Sequence, residues 1–203
     1  FATWDGSATF NNCTFSDNKY YNSNGTSGAV HSAESYGSAS ITINNSILWN
    51  NYHSSSLDDD VYESAGTFVL NKCIYRSKHS GVSTNNNVGT SDPLFTDANN
   101  DDYTLQTSSP AIDAGSDSYA PATDINGLSR PQGNADDLGC YEMQINTWQG
   151  GTAGNETVWS NAGNWSTGVV PASTETVIIG DVTHDPVIDG NDQVGDITVE
   201  SGG

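Results

Sequence analysis

The chain has 203 residues, of which 34% are apolar, and its 25 Asp and Glu stand against five Lys and Arg, a net charge of −20. That length holds one or two domains with a sizeable core. The deficit of cations makes nucleic acid and anionic membrane surfaces poor partners, and no apolar run approaches the roughly 18 residues a membrane helix needs. Carboxylate-rich surfaces stay soluble in salty extracellular media and gather divalent cations where they converge, which makes calcium the candidate cofactor. The three cysteines, an odd number without CxxC spacing, argue against a zinc site and against a disulfide framework.

From the N-terminus, TFNNCTF at 9–15 returns as TINNSIL at 42–48 and as VLNKCIY at 69–75. Aligned on Asn11, Asn44 and Asn71, the repeats fall 33 and 27 residues apart, a period that with strands in place of helices indicates a solenoid. The columns are Ala8/Ile41/Phe68, Phe10/Ile43/Leu70, Cys13/Ser46/Cys73 and Phe15/Leu48/Tyr75. Apolar positions alternate, skip two polar residues and resume, so the chain bends there while its inward face stays inward. Asn suits the bend because it enters the left-handed region readily, and stacked Asn side chains can hydrogen-bond as a ladder. Cys is then a small inward residue, and a Cys13–Cys73 bridge would have to cross two coil spacings, which is too far. Shorter strands are predicted in GAVHS (28–32) and DVYES (60–64), with NSNGTSG (22–28) and NYHSSSLDDD (51–60) as loops. The fold class is all-β, a parallel β-helix, because no window keeps apolar residues at helical spacing.

NNCTFSDN (11–18) followed by GAV (28–30) resembles the repeats of polymorphic outer-membrane proteins and related right-handed parallel β-helix proteins. SDPLFTDANNDDYTLQTSSPAIDAGSD (91–117) and DINGLSRPQGNADDLGCYE (124–142) resemble the closing segment of secreted bacterial β-helix proteins, with Cys140 where a small residue usually stands. The expected task of that segment, anchored by Leu94, Phe95, Leu105, Ile112 and Tyr141, is to cover the unpaired edge of the last coil. Beyond Glu142 the texture changes. TWQGGTAGNETVWSNAGNWSTGVVP (147–171) and the strand-like TVIIGDV and DITVE resemble modules of very large bacterial surface proteins exported by the type IX pathway. The expected domains are therefore 1–143, the end of a β-helix with its closing segment, and 144–203, a Trp-rich β module cut from a longer unit.

The resemblance implies an exported bacterial protein, extracellular or at the cell surface, and identifies architecture better than activity. The leading expectation is a non-catalytic stalk or adhesin whose partners are glycans, other surface components and neighbouring domains of the same long chain. A polysaccharide lyase or glycoside hydrolase is the alternative. Lyases of this architecture resemble one another in using a Lys or Arg base beside calcium-binding carboxylates, and Arg76, Lys78 and His79 follow a corner while Asp58, Asp59 and Asp60 lie in the loop before it. The plain reading of that cluster, a solvated loop, is preferred, so the enzyme question leans to no. Asp97, Asn99 and Asp101 alternate as calcium ligands do, but without the Gly and distal Glu of an EF-hand, and an ordinary Asx turn is preferred. Trp148, Trp159 and Trp165 could stack on sugar rings as a carbohydrate-binding module, although a role in the core of a small module is preferred.

Overall fold

The structure is a computed structural model that describes residues 2–3, 6–20, 29–32, 39–53, 60–144, 146–172, 177–180, 182–187 and 197–199. It divides into two compact units, Phe1–Met143 and Gln144–Gly203. The predicted loop 22–28, most of the predicted loop 51–60, and Asp58 and Asp59 lie outside the described residues.

The first unit is a right-handed parallel β-helix. One coil carries β1 (Ala2–Thr3), β2 (Ser7–Asn11), β3 (Thr14–Ser16) and β4 (Lys19–Tyr20). The next repeats them as β5 (Val30–Ser32), β6 (Ser40–Asn44), β7 (Ile47–Trp49) and β8 (Tyr52–His53). The third supplies β9 (Val61–Glu63), β10 (Thr67–Asn71) and β11 (Ile74–Tyr75), and β12 (Ser83–Asn85) ends the stack. Equivalent strands pair in parallel, in the orders β1–β5–β9, β2–β6–β10–β12, β3–β7–β11 and β4–β8. The register matches the sequence repeat: Ala8, Ile41 and Phe68 stand over one another, as do Phe10, Ile43 and Leu70, and Phe15, Leu48 and Tyr75. Stacking like upon like gives a dry column in which Ile41, Ile43, Leu48, Leu70 and Cys73 are wholly buried. Each such aliphatic side chain contributes about 1.5–3 kcal/mol of burial.

At the corner the Asn ladder forms. Asn44 Nδ2 donates to Asn11 Oδ1 at 2.8 Å, Asn71 Nδ2 to Asn44 Oδ1 at 2.7 Å, and Asn85 Nδ2 to Asn71 Oδ1 at 2.8 Å. The left-handed residue is not the ladder Asn, however, but the one after it: Asn12 (φ 47°), Asn45 (φ 46°), Lys72 (φ 54°) and Asn86 (φ 48°). The two jobs are divided between adjacent positions because the ladder residue still belongs to the strand and must keep its register, while the turn comes after it. Cys13 N–H donates to Ser46 Oγ at 3.0 Å, and Ser46 Oγ donates back to Asn44 O at 2.6 Å. The small column of the bend is thus tied from coil to coil. Gly66 is required where it stands, since its φ is +89° and a Cβ would collide with Ala39 O.

The closing segment differs from expectation. It does not cover the end of the stack, where β12 is exposed throughout. It runs back along the outer face of β7 and β11, where Phe95, Leu105, Ala111 and Leu138 bury Ile47 and Ile74. The outward residues of that sheet are apolar, so the stack carries a second core outside the coil. The end rung is protected instead by its own polarity, a run of Ser, Thr and Asn that offers little to a stray strand. Within the closing segment, β13 (Phe95–Asp97) and β14 (Asp102–Leu105) form an antiparallel hairpin. In the second unit β15 (Asn146–Trp148), β16 (Val177–Ile179) and β17 (Ile197–Val199) again pair in parallel.

Candidate functional site

The parallel register builds one outward side-chain stack with chemical character. His31 pairs with Tyr62 across β5 and β9, and His79 N–H donates to Val61 O at 3.1 Å from the rung above. The rings therefore line up, His31 to Tyr62 at 5.1 Å edge-on and Tyr62 to His79 at 4.3 Å with a tilt of 35°. His79 Nδ1 lies 3.9 Å from Glu63 Oε2, and His31 Nε2 lies 3.3 Å from Ser64 Oγ. Burial lowers the His31 pKa and so favours the neutral imidazole. The stack offers ring edges, a carboxylate and hydroxyls at a half-exposed surface.

Beside it, the cationic corner is tied into the coils. Asp60 is fully buried, and its carboxylate accepts from Asn51 N–H and Nδ2 at 3.1 and 3.0 Å and from Arg76 and Ser77 N–H at 2.7 and 3.1 Å. Burial pushes its pKa up while those four donors pull it back. Arg76 Nη2 donates to Asn51 O at 3.3 Å and Lys78 Nζ to Val82 O at 2.7 Å. Arg76 and Asp60, the elements of the base-and-carboxylate reading, join one coil to the next, and Lys78 closes its own turn.

The Asp97–Asn99–Asp101 run forms a 3-10 turn, Ala98–Asn100, between β13 and β14. Asp97 Oδ2 accepts from Asn100 Nδ2 at 2.7 Å, and Asp101 adopts φ 61° and closes the turn with its N–H on Ala98 O at 3.3 Å. Among the described residues no three or more His, Cys, Asp or Glu converge on a position where a metal ion could be held.

In the second unit the Trp side chains are core. Trp148, Trp159 and Trp165 are 1%, 1% and 2% exposed and pack on Val177 and Ile179. Trp159 and Trp165 meet edge to face at 4.7 Å, as do Trp148 and Trp165 at 5.1 Å. Their polar ends are satisfied internally, Trp148 Nε1 on His184 O at 2.7 Å and Trp165 Nε1 on Trp159 O at 2.8 Å. This corrects the carbohydrate-binding assignment of Trp148, Trp159 and Trp165: indoles that spend their faces on one another have none left for a sugar ring.

Two features went unread in the sequence. Arg130 and Glu142 form a buried ion pair at 2.6 Å, with side chains 1% and 0% exposed. Arg130 also donates to Asp137 O and Gly139 O at 3.0 and 2.9 Å, and Glu142 accepts from Gln132 and Asp137 N–H at 2.9 and 3.0 Å. Around this knot the Asp136 carboxyl is raised to about 6 by burial and then by Asp117, and Asp137 to about 6 by burial. The available signal was Arg130 itself, a lone cation in an acid-rich segment and therefore a group that demands a partner. The second feature is an apolar cavity of about 580 Å³ lined by Phe10, Cys13, Phe15, Ile125 and Cys140. Comparison with protein-family models, with curated proteins and with solved structures finds no match.

Proposed function

We propose that the chain is a segment of a large secreted or cell-surface protein, in which the β-helix serves as a stalk or adhesive segment without catalysis. The observation that carries this reading is how the polar side chains are spent. Asn11, Asn44, Asn71 and Asn85 run as one hydrogen-bonded ladder along the stack, and Asp60 and Arg76 join coil to coil. Catalysis needs a base and an acid free to meet a substrate, whereas a stalk needs its polar groups committed to neighbouring coils. The likeness of NNCTFSDN and of 91–142 to secreted β-helix proteins, and of 147–171 to type IX-exported modules, supports export and surface location. The His31–Tyr62–His79 stack with Glu63 and Ser64 is the face best suited to contact a glycan. Calcium enters as the counter-ion that a net charge of −20 gathers, with the Asp97–Asn99–Asp101 turn as the position to test first.

The test is location. Antibodies raised against the purified chain should label intact cells of the source organism and lose that signal after surface proteolysis. Labelling that appears only after lysis overturns the proposal. Release of reducing or unsaturated ends from glycans, abolished by Arg76→Ala or Lys78→Ala, would instead favour the lyase or hydrolase reading.

A further inference from the structure

We propose that Cys13 and Cys140 pair as an intramolecular disulfide that staples the closing segment to the first coil. Each stands where a small inward or packing residue is expected, which is why the odd cysteine count concealed them. The fold brings them together from opposite ends of the first unit. Gly139 N–H donates to Asn45 O at 2.8 Å and Cys140 N–H to Thr14 Oγ1 at 3.1 Å, the residue next to Cys13. Gly139 adopts φ +89°, and a Cβ there would lie 2.7 Å from Thr14 Oγ1, so only glycine lets the backbone press this closely before Cys140. Both cysteines line the same largely apolar cavity, together with Phe10, Phe15 and Ile125.

Cys73 supplies the contrast. It occupies the same column as Cys13 two coils further on, yet it is 0% exposed, whereas Cys13 and Cys140 are each half-buried. Burial pushes the Cys73 thiol up to about 12, which removes the thiolate that exchange requires. Burial also raises the Cys13 thiol, but Cys13 stays half-buried, so the thiolate can form at mildly alkaline pH and reach a small oxidant. The oxidant is a small disulfide such as oxidised glutathione. One protein thiolate attacks it, its S–S bond breaks and one glutathione leaves as the thiol. The second protein thiolate then attacks the mixed disulfide, forming the Cys13–Cys140 bond and releasing the second glutathione. Two protein thiols are oxidised and one glutathione disulfide is reduced. The closed loop spans residues 13–140, long enough to restrict the unfolded chain strongly. The pairing rests on geometry and is independent of the surface-protein reading.

The whole chain, fully reduced and folded, is incubated with oxidised glutathione and digested under non-reducing conditions. The expected result is one peptide pair joining Cys13 to Cys140, a loss of two mass units from the intact chain, and Cys73 left as a free thiol. The melting temperature should rise by about 10 °C over the reduced chain, and Cys140→Ala and Cys13→Ser should each abolish the rise. Separate glutathione adducts on Cys13 and Cys140, disulfide-linked dimers, or no change in either thiol would overturn the proposal. Oxidation in denaturant, where all pairings compete, shows whether the native fold selected the pair.

Discussion

Both units pair their strands in parallel, yet they are held together in different ways. The coil stack distributes its core over repeated columns, Ile41 beside Phe68 and Ile43 beside Leu70, so that each rung contributes a similar share. The second unit concentrates its core in Trp148, Trp159 and Trp165, and its edge strand β17 leaves Ile197 41% and Val199 71% exposed. A distributed core tolerates the loss of one side chain because its neighbours in the column persist. A concentrated core does not.

The largest expected effect breaks the second unit. Trp159→Ala removes a ring that packs on both other indoles, which costs about 3–5 kcal/mol, enough to unfold so small a core. Amide hydrogen exchange on the whole chain should show protection lost over β15 and β16 and kept over β6 and β10. Equal loss in both units would mean that they fold as one and would erase the contrast.

Next in size is Arg130→Leu, which leaves the buried Glu142 carboxylate without its cation at a cost of about 3–5 kcal/mol. Here the contrast lies within the first unit, between the stack and the segment wrapped on its outer face. Exchange should rise over 111–142 well before it rises over β6 and β10. Simultaneous exposure of both would show that the outer core of Ile47, Ile74 and Leu138 is inseparable from the inner one.

The stack was legible in the sequence because its information is local and repeated. Once Asn11, Asn44 and Asn71 were aligned, the register followed without any knowledge of loops. The division of labour at the corner was not legible. Two adjacent Asn look alike in a string, and only backbone geometry assigns the ladder to Asn44 and the left-handed turn to Asn45. The path of the closing segment was hidden for a related reason. Its anchors, Phe95, Leu105 and Leu138, announce burial but not against which face, and the outward Ile47 and Ile74 that receive them read as ordinary strand residues. The Trp cluster carries the same ambiguity, since three indoles fit a sugar platform and a core equally well until burial is known.

The corner itself offers an intermediate effect. Asn45 is fully buried and its side chain exchanges two hydrogen bonds with the closing segment, Nδ2 to Ser116 O at 2.8 Å and Oδ1 from Ser116 N–H at 3.0 Å. Asn45→Ala should cost about 2–3 kcal/mol, from those bonds and the strained φ together. Asn44→Leu breaks the ladder on both sides of a buried residue and should cost about 1–2 kcal/mol. The equivalent third-coil position is Lys72, which accepts the same φ without bonding to the closing segment. Asn45→Gly isolates the bonds, because glycine adopts this φ without steric cost: a denaturant midpoint as low as that of Asn45→Ala assigns the loss to Ser116, and one near wild type assigns it to the backbone.

The smallest effect is one of pH. In the folded chain the Asp136 and Asp137 carboxyls are raised to about 6, against ordinary values near 4 once unfolded. The folded state thus holds these protons more tightly, and their stabilisation is complete below about pH 4 and lost as pH rises through about 6. Melting temperature should fall by a few degrees between pH 5 and pH 7.5, in the opposite sense to ordinary acid denaturation. Asp136 is the informative substitution because burial and then the neighbouring Asp117 carboxyl raise it, whereas Asp137 accepts from Asp113 and Met143 N–H. Asp136→Asn removes the buried charge and its repulsion from Asp117, so it should raise the melting temperature at pH 7.5 while changing little at pH 4. A variant that tracks the wild type at every pH would place the titration on Asp137 or elsewhere in the knot. In the coil stack the fully buried Asp60 meets four N–H donors that favour its ionised form. Burial still holds the Asp60 pKa above its ordinary value, so the two carboxylates differ in how far donors offset that burial.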